Sequence, residues 1–253
     1  PEQLVAAADM QELDRWAVTR LNSLIRRVFD SYDAYEFHAV SHAINDFCVV
    51  DLSSFYFDII KDRLYCDGEN SLSRRSAQTA LFLILDAMTR MFAPILAFTC
   101  EEIWLAMPHR QADDGRSVLF NCMVQPYEDY ALPQDAMDRW ARIAAVRSAV
   151  NGALEQARAD KTIGKGLEAE VDLTVPAEDA FLSQMEEGAL ADLLIVSQVR
   201  VTVGDALSVT VAPAQGVKCA RCWKVLTSVG TVAGHDTLCP RCAAVVKALP
   251  VVE

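Results

Sequence analysis

Four cysteines fall as Cys219-Ala-Arg-Cys222 and, sixteen residues later, Cys239-Pro-Arg-Cys242. Two residues inside each pair let a tight turn aim both sulfurs at one point. The sixteen-residue loop is long enough for a small hairpin that returns the second pair to the first. This is the spacing of a four-thiolate zinc site. A tetrahedral ion closed by four protein ligands has no open position for water, so one structural zinc is expected, standing in for a hydrophobic core. Two disulfides would use the same sulfurs, but nothing reads as a signal peptide, and Cys48, Cys66, Cys100 and Cys122 sit singly. Iron–sulfur ligation favours tighter spacings. With four cysteines present, His235 reads as a loop residue.

Two neighbours of the ligands carry further chemistry. Trp223 directly follows a ligand on a module too small to offer a deep core, and Arg221 lies inside the first knuckle. An indole and a guanidinium held rigidly side by side make a stacking and edge-reading platform for unpaired bases, as single-stranded RNA requires. The competing reading has Trp223 covering the sulfurs as a lid and Arg221 solvated. No catalytic constellation is found: the four histidines are scattered, no Ser or Cys sits in a nucleophile elbow, and no helix pairs carboxylates with a metal-binding His. Binding is therefore expected over catalysis.

Composition bounds what these residues can serve. The 253 residues allow one large or two modest domains plus a zinc appendage. No run of eighteen residues lacks charge, so a soluble chain with no membrane span is expected. The start at Pro1, without an initiator Met, reads as a piece of something longer. The net charge of −12 argues against nucleic acid when taken whole. Its distribution argues differently: Arg139, Arg142, Arg147, Arg158, Lys161 and Lys165 face only Glu155 and Asp160 between 139 and 166, a local +4. Between 214 and 253 the side chains sum to +3, nearly cancelled by the −2 of a zinc held by four thiolates. The basic stretch is either a solvated helix face or a phosphate-contacting surface.

The elements that must position these residues begin with a helix from about Asp9 to Tyr32, with Leu13, Trp16, Ala17, Leu21, Leu24, Ile25 and Val28 on one face and Asp9 with Glu12 as a capping pair. A second helix runs from Phe37 to about Val50, and Asp51 reads as the N-cap of a third carrying Leu52 to Leu64, ended by the turn at 67–70. Ser73 reads as the cap of a fourth with Ala77, Leu81, Leu85, Met88 and Phe92 inward; Pro94 separates it from a fifth through Ile95, Phe98, Ile103 and Trp104 to Pro108. Five helices with short connections make a bundle, its Met and aromatic stripes and Cys48 and Cys100 in the core. From 109 to 133 no helical period appears. A long helix then runs from about Gln134 to Ala159, followed by a turn at Lys161–Gly166, too short for a P-loop. Strands at Leu167–Val175, Gln198–Val203 and Leu207–Val211, with a helix near Glu178–Glu187, predict a small α/β unit to which the zinc knuckle is appended through 213–217.

The runs Glu12-Leu-Asp-Arg-Trp16, Asp51-Leu-Ser-Ser-Phe-Tyr-Phe-Asp-Ile-Ile-Lys-Asp-Arg-Leu-Tyr65, Arg74-Arg-Ser-Ala-Gln78, Ala93-Pro-Ile-Leu96, Glu101-Glu-Ile-Trp104, Cys219-Ala-Arg-Cys-Trp223 and Leu238-Cys-Pro-Arg-Cys242 resemble, in order and spacing, the C-terminal part of bacterial isoleucyl-tRNA synthetases of class I. The resemblance covers essentially the whole chain. A lone zinc knuckle is shared with DNA-repair glycosylases; the helical bundle ahead of it is not. The resemblance implies a mainly α protein: a helical anticodon-binding domain over 1–131, beginning upstream of Pro1; a long helix and small α/β junction domain over 132–213; and a C-terminal zinc module over 214–253. It implies that Cys219, Cys222, Cys239 and Cys242 hold one zinc and that Arg221 and Trp223 touch anticodon nucleotides of isoleucine tRNA. Arg147, Arg158, Lys161 and Lys165 would give backbone contacts. The parent would be a cytoplasmic, monomeric ligase using ATP and magnesium in domains absent here, since the signatures His-Ile-Gly-His and Lys-Met-Ser-Lys-Ser do not occur. The alternatives are a DNA-repair-type zinc reader and a purely structural zinc tail.

Overall fold

The computed structural model describes residues 3–186 and 188–249. The chain forms two compact units, one of residues up to Tyr65 with Glu69–Gln134, the other of Cys66–Gly68 with Asp135 onward.

The first unit is a helical bundle. Helix α1 (Glu12–Asp33) buries Leu13, Trp16, Ala17, Leu21, Leu24, Ile25 and Val28, the expected stripe, because residues three and four apart share one face. The expected capping pair does not form. Asp9 closes a separate 3-10 turn (Ala7–Asp9), and α1 starts behind Gln11, whose N–H donates instead to Ser76 Oγ (2.9 Å). From Phe37 to Cys66 the chain is helical without a break: α2 (Phe37–Asp46), a π-helical stretch (Phe47–Tyr56) and α3 (Phe57–Cys66). Asp51 is therefore no N-cap. It lies within the π stretch, where its carboxylate takes two bonds from Arg20 (3.0 and 3.1 Å), a partner that no local pattern could reveal.

Helix α4 (Leu72–Phe92) is capped by Ser71, whose Oγ accepts from Arg74 N (3.3 Å). The expected cap, Ser73, accepts instead from Arg63 Nε (2.9 Å). Its buried face is Ala77, Ala80, Leu83, Ile84, Ala87 and Met91. Leu81, Leu85, Met88 and Phe92, expected inward, line an open apolar groove of about 520 Å³ with Leu52, Phe57, Cys100 and Ile103. The helix is apolar around most of its girth, so period alone could not choose which face meets its neighbours. Helix α5 (Ala97–Ala106) buries Cys100 and Trp104, but Phe98 points outward, 92% exposed. The segment before residue 134 forms only two 3-10 turns, Val118–Phe120 and Glu128–Tyr130. Arg15 ties it to α1 by donating to the Tyr130 and Ala131 carbonyls (3.2 and 2.6 Å).

One buried charge joins four pieces of this unit. Asp14 on α1 is fully buried and accepts from Tyr56 Oη (2.7 Å) in the π stretch, from two Arg63 nitrogens (3.1 and 2.6 Å) on α3 and from Ser76 on α4. Burial, and then the adjacent Asp14 charge, push the Tyr56 hydroxyl well above its ordinary pKa, so it remains a donor.

In the second unit, α6 (Gln134–Ala159) buries Trp140, Ile143, Val146, Val150 and Leu154. A 3-10 turn (Gly166–Glu168) takes up Leu167, so the strand β1 starts at Ala169 and runs to Val175 with the expected alternation. It is central in a three-stranded sheet, β2 (Gln198–Val203) parallel to it on one side and β3 (Ser208–Pro213) antiparallel on the other. The crossover holds a 3-10 helix (Ala177–Gln184) and a short helix α7 (Ala189–Leu194), which the sequence did not announce. The expected helix end at Glu187 lies outside the described residues. The zinc module contributes a two-stranded ribbon, β4 (Val217–Lys218) with β5 (Val225–Leu226), and α8 (Pro240–Ala248).

Replacing Asp14 by Ala leaves Arg63 without its carboxylate partner, and loss of about 3–5 kcal/mol is expected. Urea unfolding of the Asp14→Ala variant measures it; an unchanged midpoint contradicts a hub role.

Candidate metal centre and nucleic-acid interface

The four cysteines converge. Their Sγ atoms all lie within 4.8 Å of one another and all four residues are buried. An ion roughly 2.3 Å from each of four sulfurs sets them roughly 3.8 Å apart; the Cys222 and Cys239 sulfurs are 3.9 Å apart. The donor set fits zinc. Leu226, Val229 and Leu238 pack against the cluster, together with Cys66. His235 is not among the clustered ligands.

Local backbone geometry explains the convergence. In the first knuckle Cys219 O accepts from Trp223 N (3.0 Å) and Cys219 N donates to Lys224 O (2.9 Å), closing a tight turn. Cys239 N donates to Cys219 Sγ (3.3 Å), bringing the second knuckle to the first. Burial opposes ionisation of Cys219, but backbone N–H groups of Cys222, Cys239 and Arg221 outweigh it and hold the thiol at about 6. Burial, and then neighbouring sulfurs, push the Cys222 and Cys242 thiols up, the repulsion a divalent cation relieves. Gly216 is required: at φ +123° a Cβ would stand 2.3 Å from the Leu226 carbonyl carbon.

Trp223 does not cover the sulfurs. It is 58% exposed, and the Lys165 Nζ sits 5.9 Å from its ring centroid. Its φ of +65° is left-handed, a conformation that costs a non-glycine residue roughly 1–2 kcal/mol. Tyr35, Lys161 and Ile195 share that region. Lys161 occupies the position after α6 where Gly is usual, with Thr162 N donating back to Ala157 O (2.9 Å). The loop carrying Lys165 is pinned by Glu168, which accepts from Gly164 N and Lys165 N (3.0 and 3.2 Å) and lies 3.9 Å from Lys218 Nζ. Lys165, Trp223 and Lys218 thus share one face of the second unit. Lys218 was visible only as a basic residue beside a ligand.

Arg221 departs from its expected place. Its Nη1 donates to the Cys66 carbonyl and lies 3.8 Å from Cys242 Sγ, so the guanidinium braces the metal module and does not stand beside the indole as an edge reader. Arg147 is also corrected. It is 5% exposed and its Nε donates to Leu193 O (2.9 Å), which keeps it from phosphates. Acids outside the counted stretch offset the local +4 further: Arg139 meets Asp135 (3.1 Å) one turn back on α6, and Arg142 meets Glu178 and Asp179 (3.0 and 2.7 Å); Arg158 pairs with Glu155, already in the count. Among the described residues Lys161 and Lys165 remain exposed with no acidic side chain in ion-pair range.

The knuckle is sutured to the α/β elements beside it. Val225 N donates to Ser197 Oγ (2.7 Å), Gln198 Nε2 to Val225 O (3.2 Å), and Lys224 pairs with Asp192.

Comparison with known proteins accords with this geometry. Residues 14–173 match the family described as the anticodon-binding domain of tRNA ligase. The chain belongs to that family. Residues 216–245 match the zinc finger found in FPG and IleRS. The isoleucine–tRNA ligase of Syntrophotalea carbinolica is 44% identical over 254 residues, spanning 96% of this chain and 27% of the relative. That of Geobacter sulfurreducens is 42% identical over 251 residues (94% and 26%) and that of Colwellia psychrerythraea 40% over 261 (94% and 27%). The chain thus spans about a quarter of the length of these relatives.

Chelation of the metal should unfold the ribbon and α8 while most of the helical signal persists, because α1 to α6 lie outside the metal module. Circular dichroism before and after chelation reads this; collapse of the whole helical signal refutes it. Gly216→Ala should hasten zinc loss to a chelator, read with a colorimetric indicator.

Proposed function

We propose that this chain is the anticodon-recognising portion of an isoleucine–tRNA ligase, and that it binds the anticodon arm of isoleucine tRNA. The joining of isoleucine to tRNA, with ATP and magnesium, belongs in this reading to parts of the ligase that the chain does not span. A cytoplasmic, monomeric parent goes with it. No helix among the described residues is long and apolar enough to cross a membrane.

The observation that carries the reading is Trp223: an indole 58% exposed, in a strained backbone conformation, on a metal-braced turn with Lys165 beside its ring. A strained residue on an exposed turn gains little from packing, so selection for a ligand is the economical account. Stacking of one unpaired base on the indole contributes about 1–3 kcal/mol. Lys161 and Lys165, with Arg158 beside them, supply phosphate contacts; Arg221 acts behind them as a brace. Within the second unit we take 132–213 as a junction domain and 214–253 as the metal module, with 1–131 as the helical anticodon-binding domain.

The decisive experiment is filter binding of labelled isoleucine tRNA to the zinc-loaded chain, with competition by tRNA of altered anticodon loop and by duplex DNA. Preferential competition by unaltered tRNA supports the proposal. Preferential competition by duplex DNA favours a reader of DNA-repair type, and absence of binding favours a structural tail. Trp223→Ala should weaken tRNA binding by roughly 5- to 150-fold without changing the salt slope. Trp223→Gly should do the same while leaving the zinc module as stable or more so, because glycine tolerates positive φ. Lys165→Ala should lower the salt slope by about one.

A further inference from the structure

The two knuckles carry Arg at the same place, Cys-Ala-Arg221-Cys and Cys-Pro-Arg241-Cys, and both side chains reach one three-residue segment, Cys66–Gly68. Arg221 Nη1 donates to the Cys66 carbonyl, and Arg241 Nη1 lies 3.6 Å from Asp67 Oδ1. The Cys66 thiol returns the contact, 3.7 Å from the Arg221 carbonyl, and is buried in the same cluster as the four zinc ligands. These three residues belong with the metal-bearing unit even though the chain on either side of them belongs to the helical one.

Cys66 is the last residue of α3. Its carbonyl is one that no N–H further along the helix satisfies, and the end of a helix favours a cation. Arg221 answers both needs. Asp67 adds a carboxylate for the second arginine. Each arginine sits between two thiolates of its own knuckle, and the knuckles are sixteen residues apart in sequence. The bond from Cys239 N to Cys219 Sγ brings the turns together, and an ion shared by all four sulfurs would lock them at one point.

We propose that Cys66–Gly68 is an intramolecular ligand of the zinc module, gripped by a two-arginine clasp that exists only while the metal holds the knuckles in register. Arg221 and Arg241 are then positioning residues, and metal loading is felt at Cys66–Gly68. The inference rests on the metal reading and is independent of the RNA reading.

Hydrogen exchange of the whole chain, read by mass spectrometry on peptides covering about 62–72, tests it. Zinc chelation is expected to speed exchange there roughly tenfold, as loss of one or two charge-assisted bonds at a helix end does. Arg221→Ala with Arg241→Ala should do so at full zinc content, measured separately, with exchange in α1 unchanged. Should that variant lose its metal, a charge swap decides: Asp67→Arg alone speeds exchange, and Asp67→Arg with Arg241→Asp restores it. Exchange that ignores chelation overturns the proposal, as does acceleration by chelation that neither the arginine variant nor the swap reproduces.

Discussion

Four sulfurs brought within 4.8 Å of one another are the constraint around which the metal module is built. The segment from 216 to 248 has few large apolar side chains, and Trp223, the largest, is turned to solvent. Its burial alone does not order it. Backbone N–H groups aimed at Cys219 and the close passage of Gly216 past Leu226 fix the sulfurs where a divalent cation relieves their mutual repulsion. The ribbon β4–β5 and the turn bearing Trp223 follow from that closure.

Rigidity is what this arrangement would contribute to the proposed recognition of RNA. For the proposed stacking, the bonds from Trp223 N to Cys219 O and from Cys219 N to Lys224 O place the main chain that carries the indole in advance, which lowers the cost of ordering it on binding. Lys165 reaches the same ring from a loop fixed by Glu168. Two segments distant in sequence thus form one face. The helical unit achieves order by different means, through an apolar core crossed by the buried Asp14 and its four donors on three other segments. Such a hub specifies which helix faces meet, since any other arrangement strands a charge in the interior.

Elements with one strongly apolar face and polar flanks were legible: the α1 stripe and the β1 alternation lie where their periodicities put them, because burial of one face fixes register. Less legible were the elements apolar on several sides. In α4 the residues Leu81, Leu85 and Met88 looked like core and line a groove, and Phe98 of α5 looked inward and is bare. Caps failed where a polar side chain found a distant partner, as Asp51 found Arg20 and Ser73 found Arg63. The π stretch joining α2 to α3 left no mark in sequence, since its one extra residue per turn disturbs an apolar period only locally.

The sequence by itself determined the metal site. Ligand type and spacing suffice there, because a two-residue gap and a sixteen-residue loop restrict where sulfurs can go. It also determined the family, through motifs spread over the chain. Only the tertiary structure decided which cations are available. Arg147 and Arg221 are basic residues in the expected stretches, yet one is buried on the Leu193 carbonyl and the other braces Cys66, while Lys161 and Lys165 remain exposed. Charge counted along a chain is blind to partners that folding delivers from 46 or 155 residues away, and those partners decide what a charge can do.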